Sequence, residues 1–339
     1  MPVTRSKHEA LQELHLRLGQ TPLRQLVMYI DGVARAVWVK LESENPSGSI
    51  KVRTAFSLVQ DLEKRGRLRD DSVLVESTSG NLGLALSLIC RELEYGFVAV
   101  VDPKAPPEMV ERMRELGAEV RVIDQPDAYG NHLASRLRYV EELCRSDRRF
   151  VWADQYSSPA NPRAHYESTG PEIYQQMHGK VDAVFVAVGT GGTLAGIGRF
   201  FQEVSHAIRV IGVDVPGSVV FGGPRAPRHL SGIGSARPSS FLAPGGYHSH
   251  MLVSEAEAIA LCRLVAQHTR LTVGGSSGAA LAACARYLRD HPHSGDVVCI
   301  CPDGGENYAS TIYCDEWLRK VGVDLLATDL AWLTEIRSG

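Results

Sequence analysis

Residues 181–193, VDAVFVAVGTGGT, run from an apolar stretch into a turn of glycine and threonine. Val181–Val188 predicts a buried strand, and Leu194–Val204 predicts the helix that follows the turn. Glycines let the backbone turn tightly between these elements, and the N–H groups at the start of a helix attract a phosphate. Thr190 and Thr193 add hydroxyl donors. The segment therefore predicts a strand, a phosphate-binding turn and a helix.

The alternation of strand and helix continues on both sides of this segment. Further strands are predicted at Val37–Leu41, Val73–Glu76, Phe97–Val101, Val120–Ile123, Val210–Val213 and Val297–Cys301. Further helices are predicted at Arg53–Arg65, Leu82–Cys90, Glu108–Leu116, His132–Cys144, Glu255–Ala266 and Ala279–Arg289. Strands separated by helices form parallel βαβ units, so we expect an α/β fold with parallel sheets flanked by helices.

Composition excludes several classes of function. The 339 residues are 44% hydrophobic and 22% charged, which suits a globular protein of two domains. The net charge of -3 favours neither nucleic acid nor an anionic membrane, and the apolar stretches are too short to span a bilayer. The N-terminus lacks the apolar core of a secretory signal, so we expect a cytoplasmic protein. The seven cysteines do not form a disulfide framework, and no Cys or His spacing predicts a metal site.

Two further turns lie ahead of predicted helices. Residues 76–83, ESTSGNLG, present hydroxyls and an amide at the positive end of a helix, which suits a carboxylate. Helix capping alone would need one such residue. A turn that only caps the helix stays an alternative. Residues 273–280, VGGSSGAA, are as consistent with a plain helix start as with a ligand contact.

Lys51 lies in residues 45–53, NPSGSIKVR, among small residues just past a strand-like run. An amine in this position suits capture of the aldehyde of pyridoxal phosphate as a Schiff base. A solvated surface lysine is the alternative. For the glycine turn the alternative is a dinucleotide site with Asp214 as the ribose-binding acid, which would make the protein a nicotinamide oxidoreductase. The third glycine of that motif is replaced by Leu194, which disfavours it.

These segments, in this order, resemble fold-type II pyridoxal-phosphate enzymes of the cysteine synthase (O-acetylserine sulfhydrylase) group. The segments that carry the resemblance are Thr21–Leu23, Lys51, Ser79–Asn81, Gln155–Pro162, Thr169–Ile173, Gly189–Thr193, Ser276 and Gly304–Tyr308. They span most of the chain. The resemblance implies pyridoxal 5'-phosphate as cofactor, amino acids as substrates and a homodimer.

The resemblance also implies a role for each matching residue. Lys51 would carry the cofactor and remove the proton from the substrate Cα. The cofactor phosphate would be cradled by Gly189, Thr190, Gly191, Gly192 and Thr193. Asn81 would bond the 3′ oxygen of the cofactor ring, and Ser276 would face the pyridine nitrogen. The substrate carboxylate would be bound by Thr78, Ser79, Asn81 and Gln155.

Other features are closer to one branch, the N-(2-amino-2-carboxyethyl)-L-glutamate synthases of siderophore and antibiotic pathways. Leu82 stands where cysteine synthases typically carry threonine, and residues 214–223, 231–235 and 307–317 look similar to that branch. The resemblance implies β-replacement on O-phospho-L-serine through an aminoacrylate, with the amine of L-glutamate as nucleophile, on the way to 2,3-diaminopropionate. Gly189–Thr193 departs from the Ser-Thr-Thr-Gly turn of that branch.

Several alternatives stay open. The first is a cysteine synthase that uses sulfide with O-acetylserine or O-phosphoserine. A pyridoxal-phosphate dehydratase and a catalytically idle relative are others. Cationic side chains suit a phosphate leaving group and a dicarboxylate nucleophile, so Arg225 is a candidate for substrate binding. Tyr166 is a further candidate for the second substrate, with packing as the alternative. Residues 47–162 are predicted to form a smaller mobile domain. Residues 1–46 and 163–339 are predicted to form a larger one, with the active site in the cleft.

Overall fold

The computed structural model describes residues 6–127, 130 and 132–339, without the side chain of His8. In chain order the strands are β1 (Leu23–Ile30), β2 (Val33–Leu41), β3 (Val73–Ser77), β4 (Gly96–Val101), β5 (Glu119–Val122), β6 (Phe150–Trp152), β7 (Ala183–Ala187), β8 (Arg209–Asp214), β9 (Ser249–Leu252), β10 (Val297–Cys301) and β11 (Leu333–Ser338). The α-helices are α1 (Lys7–Arg17), α2 (Lys51–Lys64), α3 (Asn81–Glu92), α4 (Pro107–Glu115), α5 (Leu133–Ser146), α6 (Ala160–Ala164), α7 (Gly170–Gln176), α8 (Gly192–Val204), α9 (Glu255–Thr269), α10 (Gly275–Asp290) and α11 (Asp315–Val321). The predicted α/β class is confirmed.

Contacts divide the chain into two compact units. The first unit holds residues 1–19 and 45–164, and the second holds residues 20–44 and 165–339. The N-terminal segment thus differs from the prediction, which assigned residues 1–46 to the larger domain. The physical reason is α1, which buries Ala10, Leu11 and Leu14 in the apolar core of the first unit.

The first unit is built on a parallel sheet with the strand order β5-β4-β3-β6. Because side chains alternate along a strand, each face of the sheet has its own core. Leu74 and Phe97 pack on the side of α2 and α3, whereas Val75 and Val98 pack with Val140 of α5. The carboxyl ends of these strands lie at one edge of the sheet, and they lead into the segments predicted to bind substrate.

The second unit contains a seven-stranded sheet with the order β11-β1-β2-β10-β7-β8-β9. β1 and β2 form a hairpin whose turn, Asp31-Gly32, has positive φ at both residues. Such a turn matches the twist of a hairpin, and Asp-Gly is a preferred sequence for it. β2, β10, β7, β8 and β9 run parallel, and α9 and α10 cover one face of this sheet with a largely aliphatic core.

No helix in the part of the chain that the structure describes combines the length and the apolar character of a membrane span.

Candidate active site

Lys51 is the first residue of α2 and is half-buried. The turn before it contains Gly48 with a φ of 76°, which is the left-handed region that glycine enters at little cost. The backbone N–H of Lys51 donates to Ser49 Oγ at 3.3 Å. The predicted cofactor lysine is therefore fixed at its backbone by the N-terminus of a 14-residue helix.

The predicted carboxylate-binding turn joins the carboxyl end of β3 to the start of α3. The backbone N–H of Thr78 donates to the carbonyl of Val100 at 3.0 Å, which holds the turn against β4. Gly80 is the residue before α3 and Asn81 is its first residue, and no side chain caps this helix end. A helix N-terminus that no side chain caps presents N–H groups to an anion. Ser79 and Asn81 are half-buried beside it.

Gln155 lies at the same edge of this sheet. Its side-chain amide donates to the carbonyl of Ser77 at 3.1 Å, one residue before Thr78. Its own carbonyl accepts from the amide of Asn161 at 2.7 Å, and its backbone N–H donates to Glu76 Oε2 at 3.0 Å. The structure thus brings Gln155 to the turn that contains the other predicted carboxylate ligands.

Glu76 is a residue to which the sequence assigned no role. Its side chain is fully buried, and burial raises the pKa of its carboxyl from the ordinary 4.5 to about 7. The sequence offers one weak signal, a charged residue at the end of an apolar strand.

The glycine turn of the second unit follows β7 and opens α8, as predicted. Gly191 has a φ of 93°, and a Cβ there would collide with Ser239 Oγ. That hydroxyl donates to the carbonyl of Thr190 at 2.6 Å and so fixes the turn. Gly191, the residue before α8, has no side chain to cap it, and the N–H of Gly192 is directed to Thr190 Oγ1 at 3.4 Å. The N-terminus of this 13-residue helix therefore fits a phosphate group.

His165 supports this turn, although the sequence assigned it no role in the site. It is fully buried, and its Nε2 lies 3.2 Å from Thr193 Oγ1 while its Nδ1 lies 3.0 Å from Thr169 Oγ1. A side chain bonded at both ring nitrogens has one orientation. His165 therefore fixes the hydroxyl of Thr193 at the start of α8.

Ser276 is the second residue of α10 and is 2% exposed. A Cβ at Gly232 would lie 3.7 Å from Ser276 Oγ, so a side chain there would fill the space in front of this hydroxyl. The N–H of Gly234 donates to the carbonyl of Val188 at 2.7 Å, which ties this loop to the strand before the glycine turn. A phosphate site and a hydroxyl that can bond a ring nitrogen, kept open by glycine, fit pyridoxal phosphate.

Tyr166 lies away from the glycine turn, and its role as a substrate ligand stays a prediction. Its hydroxyl donates to Glu203 Oε2 at 2.5 Å, and the guanidinium of Arg199 lies 4.5 Å from its ring centroid. Glu203 is ten residues along α8 from Thr193, about 15 Å at the rise of a helix. His165 and Tyr166 are adjacent in a π-helix, and neighbours in a helix face different directions.

Arg225 lies in the irregular loop between β8 and β9. It is exposed, and its guanidinium donates to the carbonyl of Ala236 at 2.7 Å. Its role in substrate binding stays a prediction. Asp214, the candidate acid of a dinucleotide site, is 1% exposed and accepts from the N–H of Val215 at 2.8 Å. It is directed into the fold rather than towards a ribose.

The chain is similar to known proteins over most of its length. A family model described as "Pyridoxal-phosphate dependent enzyme" matches residues 14–303. A curated N-(2-amino-2-carboxyethyl)-L-glutamate synthase from Ralstonia nicotianae is 35% identical over 304 residues, which cover 90% of each chain. One of the same name from Cupriavidus metallidurans is 35% identical over 324 residues, which cover 95% of each chain.

Among solved structures, an O-acetylserine dependent cystathionine beta-synthase from Helicobacter pylori has a TM-score of 0.80 and 30% identity. The match covers 93% of this chain and 100% of that one. The sequence match, the fold and the residues of the site thus point to one family. The chain belongs to the pyridoxal-phosphate dependent enzymes and resembles their cysteine synthase-like members.

Proposed function

We propose that the protein is an N-(2-amino-2-carboxyethyl)-L-glutamate synthase that joins O-phospho-L-serine to L-glutamate. The observation that carries the proposal is the match to two curated enzymes of that name, each at 35% identity and over at least 90% of both chains. In the reaction the Cβ–O bond to phosphate breaks and a Cβ–N bond to the amine of glutamate forms. The Cα proton leaves and later returns.

The proposal gives each unit a separate task. Pyridoxal phosphate, when bound, withdraws electrons from the substrate Cα and so weakens the bonds that must break. Lys51 of the first unit holds the cofactor and takes the Cα proton on its amine. The turn from Thr78 to Asn81, with Gln155, binds the substrate carboxylate. In the second unit, Gly189–Thr193 hold the cofactor phosphate.

Ser276 sets how strongly electrons are withdrawn. A neutral hydroxyl bonds the pyridine nitrogen without stabilising a positive charge there, as a carboxylate would. The electron withdrawal that the cofactor would supply is then weaker, which favours loss of the β-substituent. This preference suits replacement at Cβ, which the proposal requires.

Leu82 supports assignment to the glutamate-using branch rather than to the cysteine synthases. Its side chain is 3% exposed and packs in the apolar core of the first unit. It therefore supplies no hydroxyl to the carboxylate-binding turn, where cysteine synthases typically carry threonine. The site would hold the first substrate with fewer donors.

The test incubates the holoenzyme with O-phospho-L-serine or O-acetyl-L-serine, each with L-glutamate or sulfide, and identifies the products by mass. We expect phosphate release that depends on glutamate and a product that contains both amino acids. Cysteine from sulfide, with no glutamate adduct, would refute the proposal in favour of a cysteine synthase. As a control, Lys51→Ala should lose both the yellow colour and all turnover.

The proposal extends to the setting of the enzyme. We propose a cytoplasmic homodimer that serves 2,3-diaminopropionate formation in a siderophore or antibiotic pathway. The support for the location is that all seven cysteines are free thiols, as is usual in reducing compartments. The support for the dimer is the resemblance to the cysteine synthase group, and sedimentation of the holoenzyme tests it.

A further inference from the structure

Glu76 bridges two strands of the first unit just before the carboxylate-binding turn. Its Oε1 accepts from the backbone N–H of Ser77 at 2.8 Å and lies 3.4 Å from the indole nitrogen of Trp152. Its Oε2 accepts from the backbone N–H of Gln155 at 3.0 Å. Burying a carboxylate costs desolvation free energy, which hydrogen bonds from N–H groups offset. The three N–H donors are thereby held in fixed positions around the side chain of Glu76.

The bond to Gln155 begins where the strand pairing ends. β3 and β6 pair as far as Val75 and Trp152, after which the N–H of Ala153 donates to the carbonyl of Val75 at 3.1 Å. Asp154 then takes a φ of 55°, which is uncommon outside glycine. This turn directs the N–H of Gln155 towards Glu76. Left-handed backbone of this kind persists where the surrounding structure holds it.

We propose that Glu76 is a positioning residue for the substrate carboxylate. Its ionised side chain holds the backbone of Gln155 so that the amide of Gln155 lies beside Thr78. The inference rests on the proposed function, because that function makes Gln155 a ligand of the substrate. One N–H of the Gln155 amide is directed to Ser77, and an amide carries two.

The protonation state of Glu76 decides whether the bond to Gln155 forms. A protonated carboxyl carries its hydrogen on one of the two oxygens. We expect the hydrogen on Oε2, because this oxygen accepts from one N–H whereas two N–H groups are directed at Oε1. Protonation therefore weakens the bond to Gln155. Burial raises the pKa to about 7, and the charge of Asp154 contributes in the same direction. Cys144 of α5 also feels the charge of Glu76, and Arg67 acts on that thiol.

The substitution Glu76→Gln isolates this bond. The amide oxygen will face Ser77 and Trp152, because two donors lie on that side. The amide NH2 group is then left against the N–H of Gln155, where two donors meet. The replacement keeps the volume and the buried position but removes the acceptor of Gln155.

The experiment measures KM for O-phospho-L-serine, kcat and the affinity for L-alanine, which binds through its carboxylate but has no leaving group. Alanine binding is followed by the absorbance of the cofactor between pH 6 and pH 9. At pH 8.5 we expect Glu76→Gln to raise KM and the alanine dissociation constant about tenfold, the cost of one hydrogen bond to a charged group, with kcat within about threefold. The protonation of the alanine amine affects both proteins equally, so the ratio of the variant constant to the wild-type constant reports on Glu76. This ratio should fall towards one as the pH falls through about 7.

Two further variants keep the test decisive. Trp152→Phe removes one N–H that lowers the pKa of Glu76, so the acid limb of the alanine titration should move to higher pH. Glu42→Gln alters another buried carboxylate, which accepts from Thr21 Oγ1 at 2.7 Å in the second unit, and it should leave the titration unchanged. If Glu76→Gln does not fold, the shift in Trp152→Phe decides.

The inference is overturned if Glu76→Gln keeps the wild-type alanine affinity and pH dependence, or if Trp152→Phe leaves the acid limb in place. Absence of turnover with phosphoserine and glutamate in the wild type would refute the proposed function alone, because alanine binding reports on the carboxylate site whichever substrate is used. Hydrogen exchange at the backbone N–H of Gln155 gives an independent check, and the exchange should be faster in Glu76→Gln.

Discussion

The buried carboxyl of Glu76 should make the stability of the protein depend on pH in a way that Glu76→Gln removes. Its pKa is about 7 in the folded protein and 4.5 in the ordinary, solvated state. Because the folded state binds the proton more tightly, the contribution of this group to stability is complete below pH 4.5. It is lost as the pH rises through about 7.

The size of the effect follows from the two pKa values. Their difference, at about 1.36 kcal/mol for each pH unit, corresponds to a loss of about 3 kcal/mol of unfolding free energy across the full titration. Glutamine does not titrate, so the variant lacks this loss. It carries instead a constant cost of about 1–3 kcal/mol, because two N–H donors face each other. Relative to the wild type, the variant should therefore gain stability steadily from pH 5 to pH 8.

Urea unfolding of the wild type and Glu76→Gln, followed by circular dichroism at several pH values, measures this difference. Every other titrating group is shared by the two proteins and cancels in the comparison. Both proteins are compared as apoprotein, because bound cofactor would add a pH-dependent term of its own. Parallel stability curves for the two proteins would refute the argument, since they would show that Glu76 has the same pKa in the folded and unfolded states.

Three further predictions concern the second unit. Gly191→Ala should lower cofactor affinity at least tenfold in an absorbance titration, because its φ and its close neighbour exclude a Cβ. His165→Phe should also weaken cofactor binding, because the hydroxyl of Thr193 loses its partner. Lys40→Met should destabilise the protein by about 3–5 kcal/mol in urea unfolding, and the double variant with Glu172→Met by less, because the second change removes the buried carboxylate that has lost its ammonium partner.

The parts of the fold that were predicted are those with a strong local signal. Val297–Cys301 was predicted with the bounds of β10, and the helix ahead of Gly117 ends there because this glycine takes a φ of 90°. Apolar strands and glycine stops depend on a few consecutive residues. These signals therefore do not depend on contacts with distant parts of the chain.

The missed strands are β1 and three edge strands, β6, β9 and β11, and the missed helices are α1, α6, α7 and α11. β1 and β11 pair antiparallel although they lie near opposite ends of the sequence. β9 is a short edge strand with mostly exposed residues. Such strands form because a neighbour offers backbone partners, which no local pattern reveals. Two local signals were present but unused. They are the Asp31-Gly32 hairpin turn and the capping box of Ser6 and Glu9 that begins α1.

The residues of the candidate site also divide into those with a local sequence signal and those without one. Ligand groups that bind through backbone N–H at a helix start need glycine and small polar residues in sequence, and this made Thr78–Asn81 and Gly189–Thr193 visible. The sequence does not show the orientation of Tyr166, because the phase of a π-helix decides where its ring points and sequence spacing does not fix that phase.

Glu76 and His165 escaped prediction because each acts on a partner far along the chain. The carboxylate of Glu76 holds a residue 79 positions away, and the ring of His165 holds one 28 positions away. Both are buried, so each must be satisfied by specific partners or else destabilise the fold. A buried polar residue beside a glycine-rich turn is therefore informative, because the fold accepts its desolvation cost where it fixes the geometry of the turn. In the site that we propose, the turns supply the ligand groups, and Glu76 and His165 hold the backbone and the hydroxyl that carry them.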